Sequence, residues 1–211
     1  MKFITFDDPH RRKHFEFFNG MDQPHFSLVA NVNIASLLAV VKEKRLPFNT
    51  AVVYVLARAA NELPVFRWRI RDQSVVEHPS VQPSFTVPTE ASSVFSFCTV
   101  TYDADPQVFL TRAAEVLRAM QTNPSLEDEP GRDDYLFLSA IPWVSFTSLT
   151  HAMHYNPVDS VPRISWGKYF WQGEQCWMPL GVQAHHALVN GNDLGDYYQR
   201  VQELLDTEGL F

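Results

Sequence analysis

The sequence predicts an α/β (α+β) fold, a mixed β-sheet covered largely by helices. Four stretches carry apolar residues at helical spacing, two early, one central and one C-terminal. At least six segments rich in Val, Ile, Phe and Thr lie around them and read as strands. With 45% hydrophobic residues in 211, the chain can bury a full core.

The elements follow in order. Residues 14–18 end a short basic and aromatic segment closed by Asn19-Gly20. Residues 27–34 alternate as a strand, and residues 34–44 carry Leu37, Leu38, Val40 and Val41 at helical spacing. Phe48-Asn49-Thr50 is expected to cap a second helix, residues 51–63, apolar on most sides and therefore buried. Residues 66–70 and 74–76 flank Arg71-Asp72-Gln73 as a hairpin. Residues 84–87 and 93–102 are further strands.

Asp105-Pro106 starts a helix, because aspartate caps free amides and proline lacks an N–H that would go unpaired there. It runs to about residue 121, burying Val108, Phe109, Ala113, Val116, Leu117 and Met120. Residues 123–134 form a polar surface loop. Residues 135–139, 144–146, 163–169 and 175–184 read as four more strands. A last helix spans about residues 193–205, with an apolar stripe from Leu194 to Leu205. No linker or repeat divides the chain, so residues 1–211 are expected to form one domain.

Composition removes several functions. A net charge of −7 argues against nucleic acid, since phosphate binding needs a basic face. Cys98 and Cys176, the only cysteines, make neither a disulfide framework nor a zinc site. The N-terminus lacks a signal peptide's apolar core, and the longest apolar run, residues 51–57, is too short for a bilayer. A soluble cytoplasmic protein with no membrane partner is the expectation. The 16 Phe, 5 Trp and 7 Tyr suit a large core and also a pocket for an apolar or aromatic ligand.

His10 and His14 stand at i, i+4 and His151 and His154 at i, i+3, either pair able to share a helix face. Neither has a third ligand at useful spacing, so no metal is expected. The phosphate loop, the G-x-G-x-x-G turn and the G-x-S-x-G elbow are all missing. The stretch that carries chemistry is Ala184-His185-His186-Ala187-Leu188-Val189-Asn190-Gly191, two histidines ahead of an Asn-Gly turn. A neutral imidazole there can act as a base near pH 7. With a hydroxyl donor for an oxyanion it would suit acyl transfer to an alcohol, although other histidine chemistries fit composition equally well.

The residues themselves narrow this. His185-His186-Ala187-Leu188-Val189-Asn190-Gly191 resembles the H-H-x-x-x-D-G motif of the chloramphenicol acetyltransferase family. Arg11-Arg12-Lys13-His14-Phe15-Glu16-Phe17-Phe18 is similar to its R-R-x-H-F-E-F-Y segment, and Phe26-Ser27-Leu28 and Pro83-Ser84-Phe85-Thr86-Val87 to two of its strands. Ser139-Ala140-Ile141-Pro142-Trp143 resembles S-A-L-P-W, and Pro162-Arg163-Ile164-Ser165-Trp166-Gly167-Lys168-Tyr169 resembles P-x-I-T-x-x-K-Y. Condensation domains of peptide synthetases share the histidine motif but are about twice this length.

The resemblance implies a coenzyme A-dependent acyltransferase fold whose sheet and active site are completed across the subunits of a homotrimer. It makes His186 the general base, Ser139 the donor to the tetrahedral oxyanion and Ser165 the hydroxyl that holds a water. Lys168 and Tyr169 would line the site of the co-substrate acetyl-CoA. Phe17, Phe18, Phe26 and Phe85 would wall the pocket of a small-molecule alcohol acceptor, chloramphenicol first. The same chemistry on another hydroxylated acceptor, or a catalytically degenerate binding or scaffold relative, are the alternatives. His185 is expected to be structural, because neighbours in an extended segment point to opposite sides.

One motif position departs from the pattern. Asn190 stands where the family has an aspartate paired with the arginine that corresponds to Arg11. A buried arginine without its anion is costly. Asp193 or Asp196 is therefore expected to approach Arg11, or Arg11 to reach water, with the loop less firmly braced. Phe18 in place of tyrosine and the bulky Trp166 also bear on which acceptor fits.

Overall fold

A computed structural model describes residues 1–211. In chain order it runs β1 (Lys2–Ile4), α1 (Pro9–Asn19), β2 (His25–Asn33), α2 (Ala35–Lys44), α3 (Phe48–Glu62), β3 (Trp68–Arg71), β4 (Ser74–Glu77), β5 (Gln82–Thr89) and β6 (Ser92–Thr99). There follow α4 (Pro106–Met120), β7 (Tyr135–Ile141), β8 (Arg163–Gly167), β9 (Phe170–Gln172), β10 (Gln175–His185) and α5 (Gly191–Asp206). This is the mixed α/β arrangement expected.

The main sheet is ordered β2-β10-β8-β7-β5-β6, with β9 also paired to β10. The β5–β7 and β7–β8 pairs are parallel and the rest antiparallel. A second, three-stranded sheet is ordered β1-β4-β3. The two are joined by Arg69, a fully buried guanidinium that donates to the carbonyls of Phe66, Trp68, Asp133 and Tyr135. Four carbonyl acceptors offset the desolvation of that charge, though burial still lowers its pKa to about 10.

Helices cover one face of the main sheet. Ten of the fifteen residues of α3 are buried, which is why its sequence is apolar on most sides. It touches α4 and α5, and the Tyr197 hydroxyl of α5 donates to Leu56 O at 3.1 Å. The alternation in β5, β7 and β8 sends Phe85, Leu138 and Ile164 into this core. Ser84, Thr86, Ser139 and Arg163 consequently line the opposite, open face. No helix is long and apolar enough to cross a membrane.

Several elements differ from the sequence expectation. Residues 9–19 form a full helix, capped by Asp8, whose carboxylate accepts from His10 N at 2.8 Å. Only Phe15 of that helix is buried, so it has almost no apolar periodicity to read. The N-cap of α3 is Pro47 without a side-chain bond, and Asn49 and Thr50 lie inside its first turn. Residues 144–146 are not a strand: they follow a turn at Pro142-Trp143 as irregular backbone, held by Lys168 N to Val144 O at 2.9 Å and Ser145 Oγ to Lys168 O. His151 and His154 sit in an irregular loop and share no helix face. Val108 is on the exposed side of α4.

Gly167 ends β8 where a side chain has no room: an added Cβ would lie 2.6 Å from Val144 O and 2.8 Å from Pro179 Cγ. Because the nearest atom is backbone, relief requires moving the turn before Lys168. Gly167→Ala is therefore expected to lower stability by about 1–3 kcal/mol in denaturant unfolding; an unchanged midpoint would contradict this packing.

Candidate active site

The two motif histidines leave β10 in opposite directions. His185 pairs in register with His25 and stays on the open face, buried, its ring edge-on to His25 at 5.0 Å. His186 lies past the strand end against α1, stacked on Phe18 at 4.0 Å and tilted against Phe26 at 4.4 Å. Its backbone N–H donates to Pro24 O at 2.8 Å, which ties the turn to the start of β2.

Hydrogen-bond partners decide the tautomers. A carbonyl can only accept, so the 3.1 Å contact of His186 Nδ1 with Val189 O puts the proton on Nδ1. In the neutral ring Nε2 then carries the free lone pair. His185 is the reverse case: Ala187 N donates to its Nδ1 at 3.2 Å, occupying the lone pair and leaving Nε2–H buried without a partner. His14 is similar, since Arg11 Nη1 donates to His14 Nδ1 at 3.0 Å.

Arg11 reaches the turn from α1. Its Nη2 donates to Ala187 O at 2.9 Å and Leu188 O at 3.0 Å, and its guanidinium covers the Phe6 ring at 4.4 Å. Burial lowers its pKa, and Asp193 opposes this through space. Of the two expected acids, Asp193 thus acts at longer range and Asp196 makes no contact with Arg11. Carbonyl oxygens take the place of a paired anion.

Asn190 has another role. Its side chain accepts from Asn192 N and Asp193 N while Asp193 Oδ2 accepts from Asn190 N, a complete capping box at the head of α5. Such a cap contributes about 1 kcal/mol. It also fixes where the turn after His186 enters the helix.

Ser139 and Ser165 form a separate group on the open sheet face. They are register partners on β7 and β8, and Ser165 pairs in turn with Gly181 of β10. Ser139 Oγ lies 3.1 Å from Thr86 Oγ1, and Ser165 Oγ lies 3.4 Å from His151 Nε2. Ser139 lines a cavity of about 550 Å³, with Thr86, His151, Asp159 and Arg163 among its walls. His186 is five residues beyond Gly181, about 17 Å along the strand. One chain therefore does not bring His186 and Ser139 to a common point.

Lys168 and Tyr169 follow β8 on the exposed side, where Tyr169 lies edge-on to Phe48 at 5.9 Å. Trp143 and Trp171 are exposed in the neighbouring segments. Phe17 projects to solvent beside Phe18. Phe85 is 4% exposed within the helix-side core, so it packs the sheet and does not wall the open-face cavity. Thr86, Asp159 and Arg163 were not singled out from sequence. The alternation Ser84-Phe85-Thr86-Val87 held the signal for Thr86: a buried Phe85 places both hydroxyls on the other face.

The buried histidines give a pH dependence. Burial lowers His185 to about 3 and His151 to about 4, against about 6.5 in an unfolded chain. The unfolded state then binds the protons more tightly, so stability is full above pH 6.5 and declines as pH falls toward 4. Melting temperature is expected to drop over that window, above the range where carboxylates titrate. His185→Gln should flatten the drop, worth about 1–2 kcal/mol at pH 5; an unaltered slope would mean His185 is not buried neutral.

Comparison with known proteins fits this geometry. The sequence profile of the chloramphenicol acetyltransferase family matches residues 1–202. The chain is 32% identical over 199 residues to chloramphenicol acetyltransferase of Klebsiella sp, covering 93% of this chain and 90% of the relative. It is 28% identical over 211 residues to chloramphenicol acetyltransferase 3 of Escherichia coli, covering 99% of both. A solved chloramphenicol acetyltransferase superposes with a TM-score of 0.85 over 97% of this chain and 99% of that one, at 24% identity. The motif around His186, the sheet order and these matches agree: the chain belongs to the chloramphenicol acetyltransferase family and is an acyltransferase.

Proposed function

We propose that this chain transfers the acetyl group of acetyl-CoA to a hydroxyl of chloramphenicol, directly, with both substrates bound together and His186 as general base. The observation that carries the reading is the His186 tautomer. Its Nδ1–H is held by Val189 O, so Nε2 is the nitrogen left to accept a proton. The aromatic packing of Phe18 and Phe26 sets the ring plane.

The chemistry balances without a metal or an acyl-enzyme. The acceptor hydroxyl gives its proton to His186 Nε2 as its oxygen attacks the thioester carbonyl. The oxyanion of the tetrahedral intermediate takes a hydrogen bond from Ser139 Oγ. Collapse breaks the C–S bond, and the imidazolium returns the proton to the leaving thiolate. Proton transfer of this kind contributes about 10²–10⁴ in rate, and an oxyanion donor about 10²–10³. Ser165 holds a water beside the intermediate. Lys168 supplies a cation for coenzyme A phosphates and Tyr169 an exposed ring beside them.

The separation of His186 from Ser139 supports a homotrimer in which the base of one copy faces the oxyanion donor of its neighbour. The expected compartment is the cytoplasm. A second reading, the same transfer to a different hydroxylated acceptor, is favoured by the charged walls of the cavity at Ser139.

The test is thiol release from acetyl-CoA with and without chloramphenicol. Chloramphenicol-dependent release is expected, and His186→Ala should reduce turnover by at least about 10²-fold while the melting temperature is kept. Release with other alcohols alone would select the second reading, and none with any alcohol would leave a binding or scaffold relative. Asn190→Asp keeps a good cap and adds a carboxylate near Arg11. It is expected to raise turnover, or to raise stability by up to about 1 kcal/mol; if neither moves, Arg11 is already fully satisfied by the two carbonyls.

A further inference from the structure

Helix α1 places another histidine beside His186, one that the transfer chemistry leaves unused. His14 lies edge-on to the His186 ring with centroids 5.5 Å apart, and tilted against Phe18 at 4.8 Å. Phe18 in turn stacks on His186. One helical turn before it stands Arg11, whose Nη1 donates to His14 Nδ1 at 3.0 Å. An arginine only donates, so this contact occupies the Nδ1 lone pair and requires a neutral His14 with its proton on Nε2.

The Arg11 guanidinium thus has three acceptors: His14 Nδ1 on Nη1, and Ala187 O and Leu188 O on Nη2. Both carbonyls share one nitrogen, so a guanidinium bound to them alone can swing about Nη2. A second attachment at Nη1, from a ring on the same helix, stops that swing, because the N–H groups of the fork lie in one plane. The gripped carbonyls follow His186 directly. The next residue, Val189, supplies the oxygen that holds His186 Nδ1–H at 3.1 Å.

The surroundings keep His14 uncharged at neutral pH. Burial lowers its pKa most, followed by Arg11, by His186 across the ring edge and by His10 on the same helix, while Asp193 at the head of α5 opposes them. Protonation would set an Nδ1–H against an Arg11 N–H, two like charges in place of a hydrogen bond.

We propose that His14 is a positioning residue for acetyl transfer: as a neutral acceptor it fixes the Arg11 guanidinium, and through it the turn that presents Nε2 of His186. The proposal rests on His186 being the base. The clamp is complete at neutral pH and opens as pH falls below the ordinary histidine value of 6.5.

Two substitutions separate the acceptor from the ring. His14→Phe keeps an aromatic ring against Phe18 and His186 but removes the acceptor. His14→Asn removes the ring and puts a carbonyl oxygen, which does not titrate, on the carbon that carried Nδ1. The full chain of each is compared with wild type by melting temperature, by thiol release, and by nitrogen NMR of labelled histidines without substrate. His14→Phe is expected to lower kcat about tenfold, with KM for acetyl-CoA and for chloramphenicol kept within about twofold. It should also mix the Nδ1–H tautomer of His186 with the Nε2–H form. His14→Asn is expected to recover kcat to within about threefold of wild type and to restore the single tautomer. Its acid limb of log kcat against pH should be less steep than that of wild type, since one required deprotonation is gone. Wild-type kcat with an unmixed tautomer in His14→Phe overturns the proposal while leaving acetyl transfer intact, and so does an equal loss in both variants. No thiol release from wild type overturns the transfer reading, and the imidazole spectra then decide the positioning of His186 by themselves.

Discussion

The constraint on which everything else depends is the burial of β10 on both faces and along both edges. From Cys176 to His185 nearly every residue is buried. Its N–H and C=O groups are taken by β2 on one side and by β8 and β9 on the other. A strand held in this way cannot slip, because a shift of one residue would turn its apolar residues out of the core. The register therefore sets the direction in which each of the two terminal histidines points. It also puts Ser165 and Ser139 in line with Gly181, well away from the strand end.

The turn beyond β10 is held by several modest interactions. Arg11 clamps two carbonyls, Pro24 receives the His186 amide, and the capping box of Asn190 and Asp193 anchors the start of α5. Each contributes on the order of 1 kcal/mol. Together they fix the path of the turn that carries His186 and brings Val189 O to its Nδ1. Asn190 brings no charge to this turn but caps α5, and Arg11 is served by oxygens of the turn itself. A helix cap and a backbone clamp hold the turn without an ion pair.

Much of the candidate site was readable along the chain because its parts are local. The histidine motif, the serines at 139 and 165 and the pair Lys168-Tyr169 sit in short segments whose order survives in the sequence. The helix α1 was not readable, since it is mostly exposed and lacks apolar periodicity; its Asp8-Pro9 start matches the Asp105-Pro106 start that was recognised. The strand expected at residues 144–146 has the right residue types but joins no ladder, and its one long-range backbone bond runs from Lys168 N to Val144 O. Phe85 was placed in a pocket wall by its motif, whereas the pleat of β5 turns it to the helices.

By itself the sequence determined the fold class, the positions of most elements and the residue types that acyl transfer needs, because periodicity and motif order are one-dimensional properties. Only the tertiary structure decided which histidine keeps a free nitrogen, what satisfies Arg11, and how the walls of the cavity at Ser139 are charged. Those depend on hydrogen-bond partners and counter-ions brought together across the sheet, such as Val189 O with His186 and Asp159 with Arg163. The pairing that holds β10 in register also keeps His186 and Ser139 apart within a chain.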